Sequence, residues 1–169
     1  MARLDRLNER YRAHQGRRAE FVFGSDERAG LIAGLVGGPG LRVLDLGCRT
    51  GALTQHYADG NDVVVAGELL EHLRDPARLV ADARRVLRPG GTLVGSVPNA
   101  YRLKSRIRFL RGRRPEDDRT HLQMFSPDDL RALLRGFDDV STRFAVGRYA
   151  RVLPHLTARV QVFSARKPR

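Results

Sequence analysis

The stretch "VLDLGCRTGALTQHYADGNDVVVAGELLEHLRDP", Val43 to Pro76, gathers residue types that do chemistry at the ends of apolar runs. Asp45 stands near the end of the first run and is followed by Gly47, Cys48, Arg49 and Gly51; Glu68, Glu71 and His72 follow the second. A carboxylate beside glycines can bind hydroxyls while the backbone approaches a cofactor closely, and the free amides of a following helix can meet a carboxylate. Further along, His121 lies in the polar stretch "GRRPEDDRTHLQMF", and an imidazole is the side chain best suited to taking a proton near neutral pH. Each of these also has an ordinary structural reading: a strand-to-helix turn, polar residues in a first helical turn, or a hydrogen-bonded histidine. Cys48 is the single cysteine; it has no neighbouring Cys or His at metal-ligand spacing, so the sequence marks no metal site and no internal disulfide.

The elements that must position these residues alternate. "GSDERAGLIAGLVGGPG" predicts a helix capped by Ser25 or Asp26 and ended by Gly37, Gly38 and Pro39. Leu41 to Leu46, apolar on both faces except for Asp45, predicts a buried parallel strand. Ala52 to Ala58 continue as a short helix, and "DVVVAGE" is the next strand. A helix follows with Asp75 at its cap, Pro76 in its first turn and Leu79, Val80, Ala83, Val86 and Leu87 on one face. Then come the strand "GTLVGSVP", a basic helix "AYRLKSRIRFLRG" with Leu103, Ile107 and Leu110 on one face, and a helix capped by Ser126 with Pro127 first. Two strand candidates, "DVSTRFAV" and "VQVFSARK", close the chain, and the segment between them has no readable pattern. Near the start, Leu4, Leu7 and Tyr11 recur at helical spacing. The alternation predicts an α/β sandwich with a mostly parallel sheet in a single domain over 1–169: N-terminal helices (1–38), a core (41–100), helices and a loop (101–136) and C-terminal strands (137–169).

Composition bounds the function. With 41% hydrophobic and 30% charged residues, and no apolar run long enough for a bilayer, the sequence describes a soluble globular chain. Its charged start, "MARLDRLNERYRAHQGRRAEF", lacks a secretory pattern, which makes the expected location cytoplasmic. The net charge of +12, carried almost wholly by arginine, favours anionic partners, nucleic acid among them, although a genome rich in G and C produces the same bias. "RLKSRIRFLRGRR" reads as a solvated helix face over the sheet, with phosphate or an anionic membrane surface as the alternative.

"VLDLGCRTG" resembles the first motif of class I S-adenosylmethionine-dependent methyltransferases, an acidic residue followed by three alternating glycines. "DVVVAGELLEHLRDPARLVADARRVLRPGGTLVGSVPN" is similar to that superfamily's fourth-strand, helix and fifth-strand block, and "HLQMFSPDDLRALL" to a late segment of its small-molecule, MetW-like subgroup. The resemblance covers Leu41 to the C-terminus. It implies a Rossmann-like sandwich with helices on both faces, an antiparallel C-terminal strand, S-adenosylmethionine as cofactor, S-adenosylhomocysteine as product, and a small-molecule O or N acceptor. It places Asp45, Gly47, Cys48 (through its backbone), Arg49, Gly51, Glu68 and Glu71 at the cofactor. It places His72 and His121 as catalytic candidates, with Asn99 and Tyr101 over the acceptor. A methyltransferase-like binding module for an anionic partner is the alternative.

Two departures stand out. Arg49 replaces the family's middle glycine, and the second and third strands, with the acid that binds ribose, are missing between Tyr57 and Asp62. A segment of roughly 40 to 60 residues near Asn61, lost from the parent fold or absent only from this sequence, accounts for the gap. Its absence leaves a sheet of about five strands in which Val43–Leu46 becomes an edge, against its apolar pattern, with a crossover of the wrong hand. Glu68, at a strand end, is the residue that could replace the lost ribose acid.

Overall fold

The computed structural model describes residues 25–37, 40–46, 61–116, 118–147 and 149–169. The predicted helices at Leu4–Tyr11 and Ala52–Ala58, and the turn carrying Gly47, Cys48, Arg49 and Gly51, lie outside the described residues. Helix α1 (Ser25–Val36) is followed by β1 (Arg42–Leu46) and β2 (Asn61–Gly67), a single 3₁₀ turn at Leu70–His72, and α2 (Pro76–Val86). Then come β3 (Thr92–Pro98), α3 (Leu103–Leu110), α4 (Pro127–Leu133), β4 (Asp138–Ala145), α5 (Pro154–Thr157) and β5 (Val160–Arg166).

The five strands form one sheet in the order β1-β2-β3-β5-β4. β1, β2 and β3 run parallel, with Asp45 beside Val65 and Gly67 beside Ser96. β5 is antiparallel to both β3 and β4. Side chains alternate across the sheet, as strand geometry requires. Val63, Val65, Val94 and Val162 meet Ile32 and Val36 of α1 on one face. Val64, Leu93, Val97 and Phe163 meet Val80 and Ala83 of α2 and Leu130 of α4 on the other. Helices thus cover both faces, and the predicted Rossmann-like sandwich is the observed architecture.

β1 lies at the edge of the described sheet, and Leu44 is 41% exposed despite the strand's apolar pattern. The chain passes without a break from Asn61 into Asp62 within β2. Between Leu46 and Asn61 the sequence has fewer residues than two further strands and their helix need.

Local signals formed their elements. Asp75 accepts the Arg78 amide at the head of α2, with Pro76 in the first turn where its missing N–H costs nothing. Ser126 and Asp129 form a reciprocal capping box on α4. The hydrogen bonds from Ser126 hold the Asp129 carboxyl below the usual carboxylate range. Ser126→Ala is expected to lower stability by about 1 kcal/mol, read as a lower urea midpoint at an unchanged m-value.

Two faces differ from the sequence reading. Val86 is 49% exposed, because the stripe that packs α2 onto the sheet runs through Val80, Ala83 and Leu87. In α3 the buried residue is Ser105, while Leu103, Ile107 and Leu110 face solvent. The helix thus leaves its apolar stripe exposed alongside the solvated Lys104 and Arg106, where the sequence reading expected only the polar face in solvent. The segment without a readable pattern holds the one-turn α5.

Candidate active site

In an open parallel sheet, ligands bind beyond the carboxyl ends of the strands. β2 ends at Gly67, and Glu68 turns the chain with a positive φ of 49°, its amide bonded to the Ser96 carbonyl at 2.8 Å. A non-glycine residue in that region carries strain that its surroundings must hold. Here Arg28 of α1 does so, pairing with the Glu68 carboxylate at 2.7 Å.

The next residues form the centre of the site. Leu70 is fully buried and anchors the 3₁₀ turn in the core, which draws Glu71 inward until it is 1% exposed. The Glu71 carbonyl accepts the amides of Leu122 at 2.8 Å and Gln123 at 3.2 Å, so the polar loop before α4 is fastened to the turn by backbone bonds. The Gln123 side chain adds two more, to the Leu73 and Arg74 carbonyls. These bonds bring His121 to His72: the rings meet edge to face with centroids 4.8 Å apart.

The hydrogen bonds fix how each imidazole is used. His72 Nδ1 lies 3.2 Å from the Thr120 carbonyl; a carbonyl only accepts, so Nδ1 donates, and in the neutral ring the lone pair lies on Nε2. His121 Nδ1 bonds a Glu116 carboxylate oxygen, while its Nε2 stands 3.9 Å from Asp118, beyond hydrogen-bond reach. Both oxygens of Glu71 lack a hydrogen-bond partner among the described residues. Glu71, His72 and His121 each offer a donor atom within 4.8 Å of the others, a set able to hold a metal ion. A small cleft of about 90 Å³ opens onto His121, lined also by Arg114, Glu116, Asp118 and Met124.

The electrostatics follow from burial. Desolvation pushes the Glu71 carboxyl from an ordinary 4.5 up to about 8, against the opposing pull of its own backbone amide and of His121. Burial alone would lower His121, but the hydrogen bond and charge of Glu116, with Glu71 and Asp118 behind them, carry it above its usual value.

The Glu71 shift has a stability consequence. An acid whose folded pKa exceeds its unfolded one stabilises the fold at low pH, and the contribution is lost as pH rises from about 4.5 through about 8. The groups facing it are Glu68, His72, Glu116 and His121. Glu71→Gln is expected to flatten the stability–pH curve over that window and to gain on the order of a few kcal/mol above it. Urea denaturation at several pH values reads this directly.

Of the residues singled out in the sequence, the structure brings Glu71, His72 and His121 together and puts Glu68 one turn away. Asp45 is half-buried near the end of β1. Tyr101 is exposed, and Asn99 spends its amide inside the fold, bonding the His155 and Ala158 carbonyls and the Tyr101 amide. Asn99 therefore holds the start of β5. Glu116, Thr120 and Arg28 escaped the sequence reading. The only hint of the first was an acid five residues before His121.

Comparison with known proteins agrees with this fold. Residues 56–141 match the model of a family described as a methyltransferase domain. A probable S-adenosylmethionine-dependent methyltransferase of Mycobacterium tuberculosis is 42% identical over 82 residues, which span 47% of this chain and 28% of that protein. The chain thus matches less than a third of that relative's length. Among solved structures, a SAM-dependent methyltransferase from Archaeoglobus fulgidus superposes with a TM-score of 0.63 at 16% identity, covering 93% of this chain and 99% of that one. The N-methyltransferase NodS from Bradyrhizobium japonicum, in complex with S-adenosyl-L-homocysteine, gives 0.56 at 17% identity over 85% of this chain and 87% of its own. These superpositions establish the fold. With the family match running over more than half of its residues, from before β2 to within β4, the chain belongs to the methyltransferase domain family.

Proposed function

We propose that this protein transfers a methyl group from S-adenosylmethionine to an oxygen or nitrogen of a small molecule. The observation that carries the reading is the cluster of Glu71, His72 and His121 at the carboxyl end of β2, in a chain of methyltransferase descent. The described residues fit the cofactor. Asp45 and Glu68 stand near the ends of neighbouring parallel strands, and the Ser96 hydroxyl, level with Gly67, is buried without a partner among the described residues. That is the strand end beyond which open sheets take their ligands. Asp45 and Glu68 would hold it through hydroxyl contacts, Gly47, Cys48, Arg49 and Gly51 through the turn after β1, and Glu71 from the floor.

The cofactor, when bound, supplies a methyl already activated by its sulfonium. What remains for the chain is alignment and proton removal. His121 opens onto the cleft and takes the acceptor's proton at Nε2, while Glu116 holds Nδ1 and stabilises the imidazolium that results. His72, fixed by the Thr120 carbonyl, keeps its own Nε2 as a second acceptor beside it. Glu71 closes the floor of the site and excludes water.

The test is production of S-adenosylhomocysteine when the chain is given S-adenosylmethionine and a panel of small hydroxyl and amine acceptors. Turnover with the methyl on oxygen or nitrogen supports the reading. Its absence across the panel, together with strongly salt-dependent association with RNA or DNA, would replace it with the binding-module alternative. Glu116 gives a finer check. Because Glu116 raises the His121 pKa, Glu116→Gln is expected to move the acidic limb of the pH–rate profile to lower pH, a shift that a merely structural role would not produce.

A further inference from the structure

We infer that Glu71, His72 and His121 form a binding site for one divalent cation of the first transition series. Three independent features of the geometry point to it. The donor set is one carboxylate and two imidazoles, each offering an atom within 4.8 Å of the others. The carboxylate is 1% exposed, with both oxygens lacking a hydrogen-bond partner among the described residues. A buried polar group left so is costly unless something completes it. Finally, each imidazole is oriented as a ligand is. The Thr120 carbonyl and the Glu116 carboxylate take the two Nδ1 positions, so once the rings are neutral each lone pair lies on Nε2, the arrangement by which outer groups fix the tautomer of a metal-bound histidine.

The chemistry of the set selects the cation. Magnesium and calcium prefer all-oxygen surroundings, whereas two imidazoles and one carboxylate suit zinc, cobalt, manganese or iron in the divalent state. Bonds of about 2.0–2.2 Å put neighbouring donor atoms about 3–3.5 Å apart, so the three side chains need close by only about 1–2 Å. Three protein ligands leave a position open toward the cleft. Resting on the methyl-transfer reading, the inference narrows the acceptor class as well. An acceptor oxygen in the open position would be bound and its proton made easier to lose to solvent; in the metal-loaded site His121 is a ligand, and its role as base applies to the metal-free chain.

The experiment uses the full chain, stripped with a chelator and free of any histidine tag, titrated with Co²⁺ and then Zn²⁺, with Mg²⁺ as comparison. The expected result is one Co²⁺ per chain, seen as visible ligand-field absorption that Zn²⁺ displaces and Mg²⁺ does not. Glu71→Gln and His121→Gln should each weaken binding at least tenfold. Glu116→Gln, which leaves all three ligands in place, should weaken it about 10–100-fold. In thermal melts at pH 8, Zn²⁺ should raise the Tm of the native chain and not that of Glu71→Gln, whose fold circular dichroism verifies. No binding by the folded native chain, or binding that the folded Glu71→Gln retains, overturns the inference. A parallel titration with S-adenosylhomocysteine, run without metal, keeps the two readings apart, since either ligand can bind when the other does not.

Discussion

Converting His121 to glutamine is expected to lower kcat for methyl transfer by about 10²–10⁴-fold, the range in which a positioned acid or base contributes. The imidazole stands in the cleft with Glu116 on Nδ1 and no hydrogen-bond partner within reach at Nε2 on Asp118. Glutamine can still accept and donate hydrogen bonds, so the loop and its backbone bonds to Glu71 should persist while proton transfer is lost. Steady-state kinetics with any acceptor that supports turnover gives the result. A fall in kcat at a nearly unchanged KM for S-adenosylmethionine agrees with a role in the chemical step. A loss of less than about threefold assigns the imidazole a structural role only.

The second large effect falls on the fold. Gly95 lies in the middle of β3, and a Cβ built there would sit 2.3 Å from the Phe163 ring and 2.6 Å from the Ala66 carbonyl oxygen. Phe163 is fully buried and the Ala66 carbonyl belongs to the neighbouring strand, so neither can withdraw cheaply. Overpacking a core commonly costs about 1–3 kcal/mol. Gly95→Val, which collides with backbone as well as with a ring, is expected to exceed about 3 kcal/mol and to leave little folded protein at 37 °C. Chemical denaturation of the milder Gly95→Ala, alone and with Phe163→Leu, separates the two contacts. The double variant should recover the part due to the ring and keep the part due to the carbonyl.

How much of this was legible in the sequence depended on whether the signal was local. Asp75 before Pro76, and Ser126 before Pro127 and Asp129, name their helix starts because a cap acts within three residues. The parallel strands were legible in the valine runs, since burial on both faces leaves no polar alternation. The same logic failed for β1, where the contraction of the chain puts an apolar strand at an edge. α3 misled for a related reason: its Leu103, Ile107 and Leu110 repeat at helical spacing, but periodicity does not say which way the stripe points. In the site, Glu71 looked like a polar residue in a helical turn. Its burial comes from Leu70 beside it and from a loop some fifty residues later, docked by backbone bonds that carry no sequence signal and by the distant Gln123 side chain. Glu116 was hidden likewise, because its importance lies in the Nδ1 bond to His121.

The central claim is that this contracted chain carries a working cofactor site, and calorimetric titration of the intact 19.0 kDa chain with S-adenosylhomocysteine tests it most directly. The account predicts saturable binding near one ligand per chain, weakened at least tenfold by Asp45→Ala or Gly51→Val. An absence of heat from a chain shown to be folded, at protein concentrations of about 100 μM where even sub-millimolar affinity registers, would contradict it.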